Sequence, residues 1–210
     1  MPMSKLIINI KELAQIRDSK TSFASASQMN EIPSIKNAFL LIENGLISDF
    51  GKMSNIPKEK HFEIIDASGR TVLPAWCDSH THSVFTGSRS DEYIDRIKGL
   101  SYQEIANKGG GILKSANQIQ NISKNDLFEE SKKRIYNLIK QGTGCIEIKS
   151  GYGLNYNSEL KMLNVIKDLK ESLPIEIKST FLGAHAFPKE LSKSEYFDLV
   201  INKMLPDFAT

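Results

Sequence analysis

The sequence predicts an α/β fold made of a partial (β/α)8 TIM barrel and a small N-terminal β-sandwich portion. Two observations indicate this architecture. Short strand patterns separated by turn signals fill residues 1–70, whereas from residue 71 onward apolar strand patterns alternate with helical patterns. In addition, residues capable of chemistry follow three of the later strands, which is where barrels and doubly wound sheets both place their sites.

Residues 1–70 are predicted to form a small antiparallel β domain that is incomplete. Its candidate strands cover residues 5–10, 38–42, 46–51 and 62–66. The residues Asn44 and Gly45 form a hairpin signal between the second and third of these strands, because both tolerate positive φ. The polar, Ser-rich segment 18–35 is predicted to be a loop.

Residues 71–210 are predicted to form the first part of the barrel, which we expect to be truncated. The predicted strands cover residues 71–78, 145–148 and 175–182. The predicted helices cover residues 101–108, 125–140, 158–173 and a segment from Ser192 or Ser194 to Lys203. A complete barrel needs about 250 residues. A doubly wound sheet would bring a Gly-rich phosphate loop after its first strand, and this sequence has none.

The strongest motif lies at the end of the first barrel strand, where residues 78–82 read DSHTH. Side chains alternate in direction along a strand, so His80 and His82 are expected to point the same way. Two neutral imidazoles at one strand end can hold one metal ion, with further ligands coming from elsewhere in the fold. The alternative is a pair of ordinary loop histidines.

The composition is that of an ordinary soluble globular protein, with 25% charged residues and a net charge of +2. No basic stripe indicates a nucleic-acid partner, and no apolar run is long enough for a membrane span. The N-terminus lacks a signal-peptide pattern, and both cysteines lie in apolar strand patterns typical of buried thiols. We therefore expect a cytoplasmic protein without nucleic-acid or membrane partners.

Three longer blocks carry a family resemblance. They are residues 80–89 (HTHSVFTGSR), 147–154 (EIKSGYGL) and 180–186 (TFLGAHA), and residues 106–112 and 159–163 match as well. These blocks resemble the imidazolonepropionases, a family of the amidohydrolase superfamily. The resemblance implies a barrel of the metal-dependent hydrolase type. It also implies hydrolytic ring opening of 4-imidazolone-5-propanoate to N-formimidoyl-L-glutamate in histidine degradation.

The resemblance also implies roles for five residues. His80 and His82 would be ligands of one zinc or iron ion. Arg89 would bind the propionate of a small-molecule substrate, because a guanidinium offers a carboxylate two parallel hydrogen bonds. Tyr152 and His185 would contact the substrate, and His185 would also act in catalysis by polarising the carbonyl or stabilising the oxyanion. A homodimer is expected for the full-length protein.

Several alternatives remain open. The family completes its metal site with a further His and an Asp from later strands, but no His follows His185 in this sequence. We therefore expect the N-terminal half of the enzyme, inactive by itself, and a non-catalytic half-barrel remnant is the competing interpretation. A deaminase of the same superfamily is another. The glycines at 109–111 either stop a helix or bind an anion, and Lys149 is not assigned as a ligand.

Overall fold

The chain divides at Pro74 into two units, Met1–Pro74 and Ala75–Thr210, each built around its own β-sheet. The computed structural model describes residues 4–17, 23–58 and 62–209. Part of the predicted loop at 18–35 lies outside these residues. In the described part of that segment, a 3-10 turn at Ala26–Asn30 is followed by a strand that already begins at Ser34.

The first unit is a five-stranded mixed sheet. Its strands are β1 (Lys5–Ala14), β2 (Ser34–Glu43), β3 (Leu46–Lys52), β4 (Glu63–Asp66) and β5 (Thr71–Val72). The pairs β1–β2 and β2–β3 are antiparallel, but β4 and β5 both run parallel to β1. The expectation of a purely antiparallel domain is therefore wrong. The hairpin between β2 and β3 has the predicted two-residue turn, in which Asn44 and Gly45 have φ values of 53° and 80°.

The second unit is an α/β arrangement with a three-stranded parallel sheet. Its strands are β6 (Trp76–Thr81), β7 (Thr143–Lys149) and β8 (Glu176–Thr180), in the order β6-β7-β8. Its helices are α1 (Ser90–Ile97), α2 (Tyr102–Asn107), α3 (Ile112–Asn121), α4 (Lys124–Lys140), α5 (Tyr156–Ser172), α6 (Lys193–Leu199) and α7 (Leu205–Phe208), with a π-helical stretch at Val200–Met204. Among the described residues, no helix is both long and apolar enough to cross a membrane.

The strand predicted at 71–78 is in fact two strands in two different sheets. β5 pairs with β1, whereas β6 pairs with β7. Pro74 lies between them, and proline has no N–H group to continue a hydrogen-bonded ladder. The apolar pattern was continuous across this change of sheet, which is why it predicted a single strand.

The helix predictions were correct in type but incomplete. The capping box of Ser101 and Glu104 is present at the start of α2, and Ser123 caps α4. The helix α5 is capped by Asn155 and begins at Tyr156, two residues before its predicted start. Helices α1, α3 and α7 were not predicted. The glycines at 109–111 do end α2, but Gly111 then becomes the N-cap of α3 with a φ of 78°.

The core of the second unit lies between its sheet and its helices. Ile146 and Ile148 of β7 and Ile177 of β8 are fully buried against apolar residues of the helices. Because side chains alternate along a strand, Glu147 and Lys149 point to the opposite face of the sheet. The helices therefore cover one face, and the polar side chains of β7 occupy the other.

Replacement of Ile148 by Ala should lower the free energy of unfolding by about 2–5 kcal/mol, because it removes buried methyl groups and leaves a cavity. Ile97 provides the matched control, since its side chain is 71% exposed. Ile97→Ala should change stability by less than about 0.5 kcal/mol. Urea unfolding followed by circular dichroism measures both, and equal effects would contradict this description of the core.

Candidate active site

The site forms at the carboxyl ends of the parallel strands. His80 lies in β6 and His82 follows the strand directly, whereas Tyr152 and His185 come from the segments after β7 and β8. Because the three strands are parallel and adjacent, their carboxyl ends meet at one edge of the sheet. The fold therefore brings together residues that lie as far as 105 positions apart in the sequence.

Four aromatic rings contact one another at this edge. The ring centroids of His80 and His82 are 5.6 Å apart, in an edge-to-face arrangement. The ring of His82 also stacks on that of Tyr152, at 4.9 Å, and on that of His185, at 5.0 Å. Tyr152 and His185 are themselves 5.8 Å apart. His82 is thus the centre of the cluster, in contact with each of the other three rings.

The surroundings of His82 favour its neutral form. Burial lowers the pKa of His82, and the neighbouring His185, His80 and Lys149 lower it further, although Glu147 acts in the opposite direction. Its Nδ1 atom is buried and has no hydrogen-bond partner among the residues that the structure describes. A buried polar atom without a partner is costly, so this nitrogen is suited to bind a ligand or an ion.

The separation of the two imidazoles of the DSHTH motif is compatible with one shared metal ion. A histidine nitrogen lies ~2.0–2.1 Å from zinc, so two imidazoles on one ion have ring centroids about 5 Å apart. The observed 5.6 Å is close to that spacing. However, within residues 4–17, 23–58 and 62–209 there is no group of three or more His, Cys, Asp or Glu side chains arranged to hold a metal.

A cavity of about 600 Å³ opens beside His82. Arg89 and Tyr152 line it together with His82, so three of the five predicted site residues share one cavity. The remaining lining residues are Phe85, Thr86, Gly87, Ser88, Ser115 and Arg134. His185 is not among them, but its ring contacts those of His82 and Tyr152.

Arg89 is held by an acidic residue that sequence reasoning missed. The Nε and Nη2 atoms of Arg89 donate to one carboxylate oxygen of Glu92, at 2.8 and 2.5 Å. The other oxygen of Glu92 accepts a hydrogen bond from the Gly111 amide at 2.9 Å. The glycines at 109–111 stop the helix α2, which was one of their two interpretations. The Gly111 amide also binds an anionic group, the carboxylate of Glu92. The acidic residue three positions after Arg89 was the signal available in the sequence.

Arg134 is a second cationic residue at the cavity that the sequence did not indicate. Its guanidinium donates to the backbone carbonyls of Ser83, at 2.5 Å, and Phe85, at 3.2 Å. It also lies 3.6 Å from the centroid of the Phe85 ring, a cation–π contact. Arg134 therefore braces the segment that directly follows His82. Nothing in the helical pattern of α4 distinguishes it from a solvated arginine.

Lys149 is paired within its own strand. Its Nζ atom lies 2.5 Å from Oε1 of Glu147, and both side chains are largely buried. This pair accounts for the charge of Lys149. Tyr102 is 58% exposed and lies near Gly111 rather than among the clustered rings.

Replacement of Glu92 by Gln should lower the free energy of unfolding by about 1–2 kcal/mol at neutral pH, because a buried charged acceptor of Arg89 is lost. The hydrogen bonds from Arg89 hold the pKa of Glu92 below its usual range. The contribution of Glu92 is therefore fully present above the ordinary glutamate pKa of about 4.3 and is lost as the pH falls through the lowered folded value.

Urea unfolding as a function of pH measures this difference. Glu129→Gln is the control, because it removes the same charge from an exposed position of α4. The two variants should converge in stability as the pH falls below about 4. A difference between Glu92→Gln and the unmodified chain that stays constant with pH would contradict the ion pair.

Comparison with known proteins finds relatives along nearly the whole of this chain. The chain is 54% identical to the imidazolonepropionase of Flavobacterium psychrophilum and 55% identical to that of Flavobacterium johnsoniae. Each match covers 99% of this chain and 51% of the relative. The chain thus spans about half the length of the curated relatives it matches. No family model matches the sequence.

Solved structures show the same fold at low sequence identity. A triazine hydrolase from Arthrobacter aurescens has a TM-score of 0.59 at 12% identity, with 98% of this chain and 43% of that chain covered. E. coli guanine deaminase has a TM-score of 0.56 at 13% identity, with 95% and 42% covered. By sequence, the chain matches the N-terminal half of proteins named imidazolonepropionase, at 54–55% identity.

Proposed function

We propose that this chain supplies the N-terminal half of a metal-dependent hydrolase that opens the ring of 4-imidazolone-5-propanoate and yields N-formimidoyl-L-glutamate. The observation that carries the proposal is the shared cavity of His82, Arg89 and Tyr152, in a chain that is 54% identical to a protein named for this substrate. An imidazole, a cation and an aromatic ring around one small cavity suit a flat, polar ring with a carboxylate tail.

We propose that the second unit is the first part of a (β/α)8 barrel and that the first unit belongs to a β-sandwich portion. The sequential order β6-β7-β8 supports the barrel, because a barrel adds each strand beside the previous one. The clustering of functional side chains at the carboxyl ends of these strands supports it too. The likeness to the triazine hydrolase is consistent with this arrangement.

His80 and His82 would hold one zinc or iron ion in this proposal. The buried, unpartnered Nδ1 of His82 and the separation of the two rings support the assignment. Such an ion, when bound, supplies a Lewis acid and makes ionised water available at neutral pH. The lowered pKa of His82 keeps its imidazole neutral, the form in which it can act as a ligand. Two imidazoles do not complete a four-ligand site, so we expect the isolated chain to be inactive.

The remaining site residues would bind and orient the substrate. Arg89, fixed on one edge by Glu92, would present its free N–H groups to the propionate carboxylate. Tyr152 would cover the imidazolone ring, since its own ring already stacks on that of His82. His185 would donate a hydrogen bond to the carbonyl oxygen as negative charge develops there, from its position beside His82 and Tyr152.

The sibling hypothesis is a deaminase of the same superfamily, and the two reactions differ in their products. Ring opening adds water across a ring C–N bond and releases nothing, whereas deamination releases ammonia. The sequence match is to proteins named imidazolonepropionase, while the deaminases resemble this chain at only 13–18% identity. A cytoplasmic location and a homodimer of the full-length protein remain predictions.

A chimera tests the proposed function. Residues 1–210 joined to the remaining half of the Flavobacterium johnsoniae relative should consume 4-imidazolone-5-propanoate, as followed by mass spectrometry, without release of ammonia. His80→Ala should abolish this activity and lower the metal content, whereas His61→Ala, at a histidine outside the blocks that carry the family resemblance, should leave both unchanged. An active chimera that retains its metal after His80→Ala would refute the ligand assignment. No turnover of the imidazolone, together with release of ammonia from an amino-substituted ring such as guanine, would favour the deaminase.

Arg89→Ala in the same chimera should raise KM by about 10- to 100-fold, because charged hydrogen bonds to the propionate are lost. Arg96→Ala provides the control, since it removes an exposed guanidinium from the same helix. An unchanged kcat/KM for Arg89→Ala would remove this residue from the substrate site.

A further inference from the structure

The segment that carries Tyr152 has an irregular backbone that needs support from outside itself. It follows β7 and precedes α5, so neither a strand ladder nor a helix satisfies its amides. Gly151 and Leu154 have φ values of 107° and 53°, in the left-handed region that costs free energy for residues with side chains. Such a conformation persists only where surrounding contacts determine it.

Glu159, in the first turn of α5, provides those contacts. Its side chain is fully buried, at 0% exposure. One carboxylate oxygen accepts the Gly151 N–H at 2.9 Å, and the other accepts those of Gly153 and Leu154, at 2.7 and 3.2 Å. Of the four backbone amides from Gly151 to Leu154, this one side chain thus binds three. A buried carboxylate that accepts several backbone N–H groups is a strong and directional clamp.

The clamped segment is packed against the loop of His185. A Cβ atom on Gly151 would lie 2.8 Å from the Leu182 carbonyl oxygen and 2.9 Å from Cβ of His185. On the other side, the fully buried Tyr196 of α6 donates a hydrogen bond from its hydroxyl to the Gly183 carbonyl at 2.7 Å. Burial raises the pKa of Tyr196, and the charge of Glu159 raises it further, so this hydroxyl keeps its proton. Two helices therefore brace the two loops.

We propose that Glu159 is the positioning residue that sets the Tyr152 ring against His82 and His185. The effect of Glu159 on catalysis rests on the proposed function. Its effect on the position of the Tyr152 ring rests only on the contacts within this chain. Glu159 does not line the cavity, so it acts through the backbone that it holds.

The chemistry requires a carboxylate at this position. All three partners of Glu159 are N–H donors. A glutamine of the same shape would turn an NH2 group towards at least one of them, and two donors cannot share a hydrogen bond. Glu159→Gln should therefore release part of the segment while leaving side-chain volume unchanged.

Histidine NMR on residues 1–210 tests the positioning without any need for activity. The chain has four histidines, so its ring signals are few. The ring of Tyr152 stacks on that of His82 at 4.9 Å, so its ring current should change the chemical shifts of the His82 ring protons. Tyr152→Leu should remove that change. Glu159→Gln should reproduce most of the change seen in Tyr152→Leu, whereas Glu171→Gln, an exposed position on the same helix, should not.

Kinetics in the chimera give the second readout. Glu159→Gln should lower kcat/KM by about 10- to 100-fold, the effect of a small displacement of a contacting group, without loss of bound metal. An inactive unmodified chimera would count against the proposed function and leave the NMR result standing. A His82 signal unchanged by Glu159→Gln would overturn the positioning role even if the chimera is active.

If Glu159→Gln does not fold, amide hydrogen exchange in the unmodified chain still tests the proposal. The Gly151 and Gly153 amides should exchange slowly, because both are held by a buried carboxylate. Exchange of these two amides as fast as that of exposed loop amides would overturn the proposal.

Discussion

The contact of the His82 ring with three other rings is the interaction on which the rest of the site depends. His80, Tyr152 and His185 reach it from the ends of three adjacent strands, and each lies within 5.6 Å of it between ring centroids. The parallel, sequential sheet makes this possible, since it places the carboxyl ends of the strands side by side. These rings belong to residues far apart in the sequence, so a shift of any one strand along its neighbours would break their contacts.

Three carboxylates beside these rings have cationic or N–H partners within the chain. Glu92 holds Arg89, Glu147 holds Lys149, and Glu159 holds the backbone beside Tyr152. Each of these carboxylates is largely buried, where an unpaired charge would be costly. The side chains at this edge of the sheet that would contact a substrate are therefore fixed before it binds. Binding then costs less conformational entropy.

The sequence predicted that these side chains follow neighbouring strands, where the structure brings them together, but it did not predict the residues that support them. Strand alternation placed His80 and His82 on one side, and parallel strand order placed Tyr152 and His185 nearby. Periodicity could not identify Glu159, because its partners are backbone amides whose directions depend on the positive φ of Gly151. It also could not separate β5 from β6, since burial in either sheet favours the same apolar residues. The helix α3 was missed because Gly111 both follows one helix and begins the next.

The proposal that His80 and His82 share one ion can be tested by a titration of residues 1–210 with Zn²⁺, observed through the ring nitrogen signals of ¹⁵N-labelled histidine. The signals of both residues should respond together, with one common dissociation constant and one ion per chain. Separate saturation of the two rings, or a response from only one of them, would contradict it.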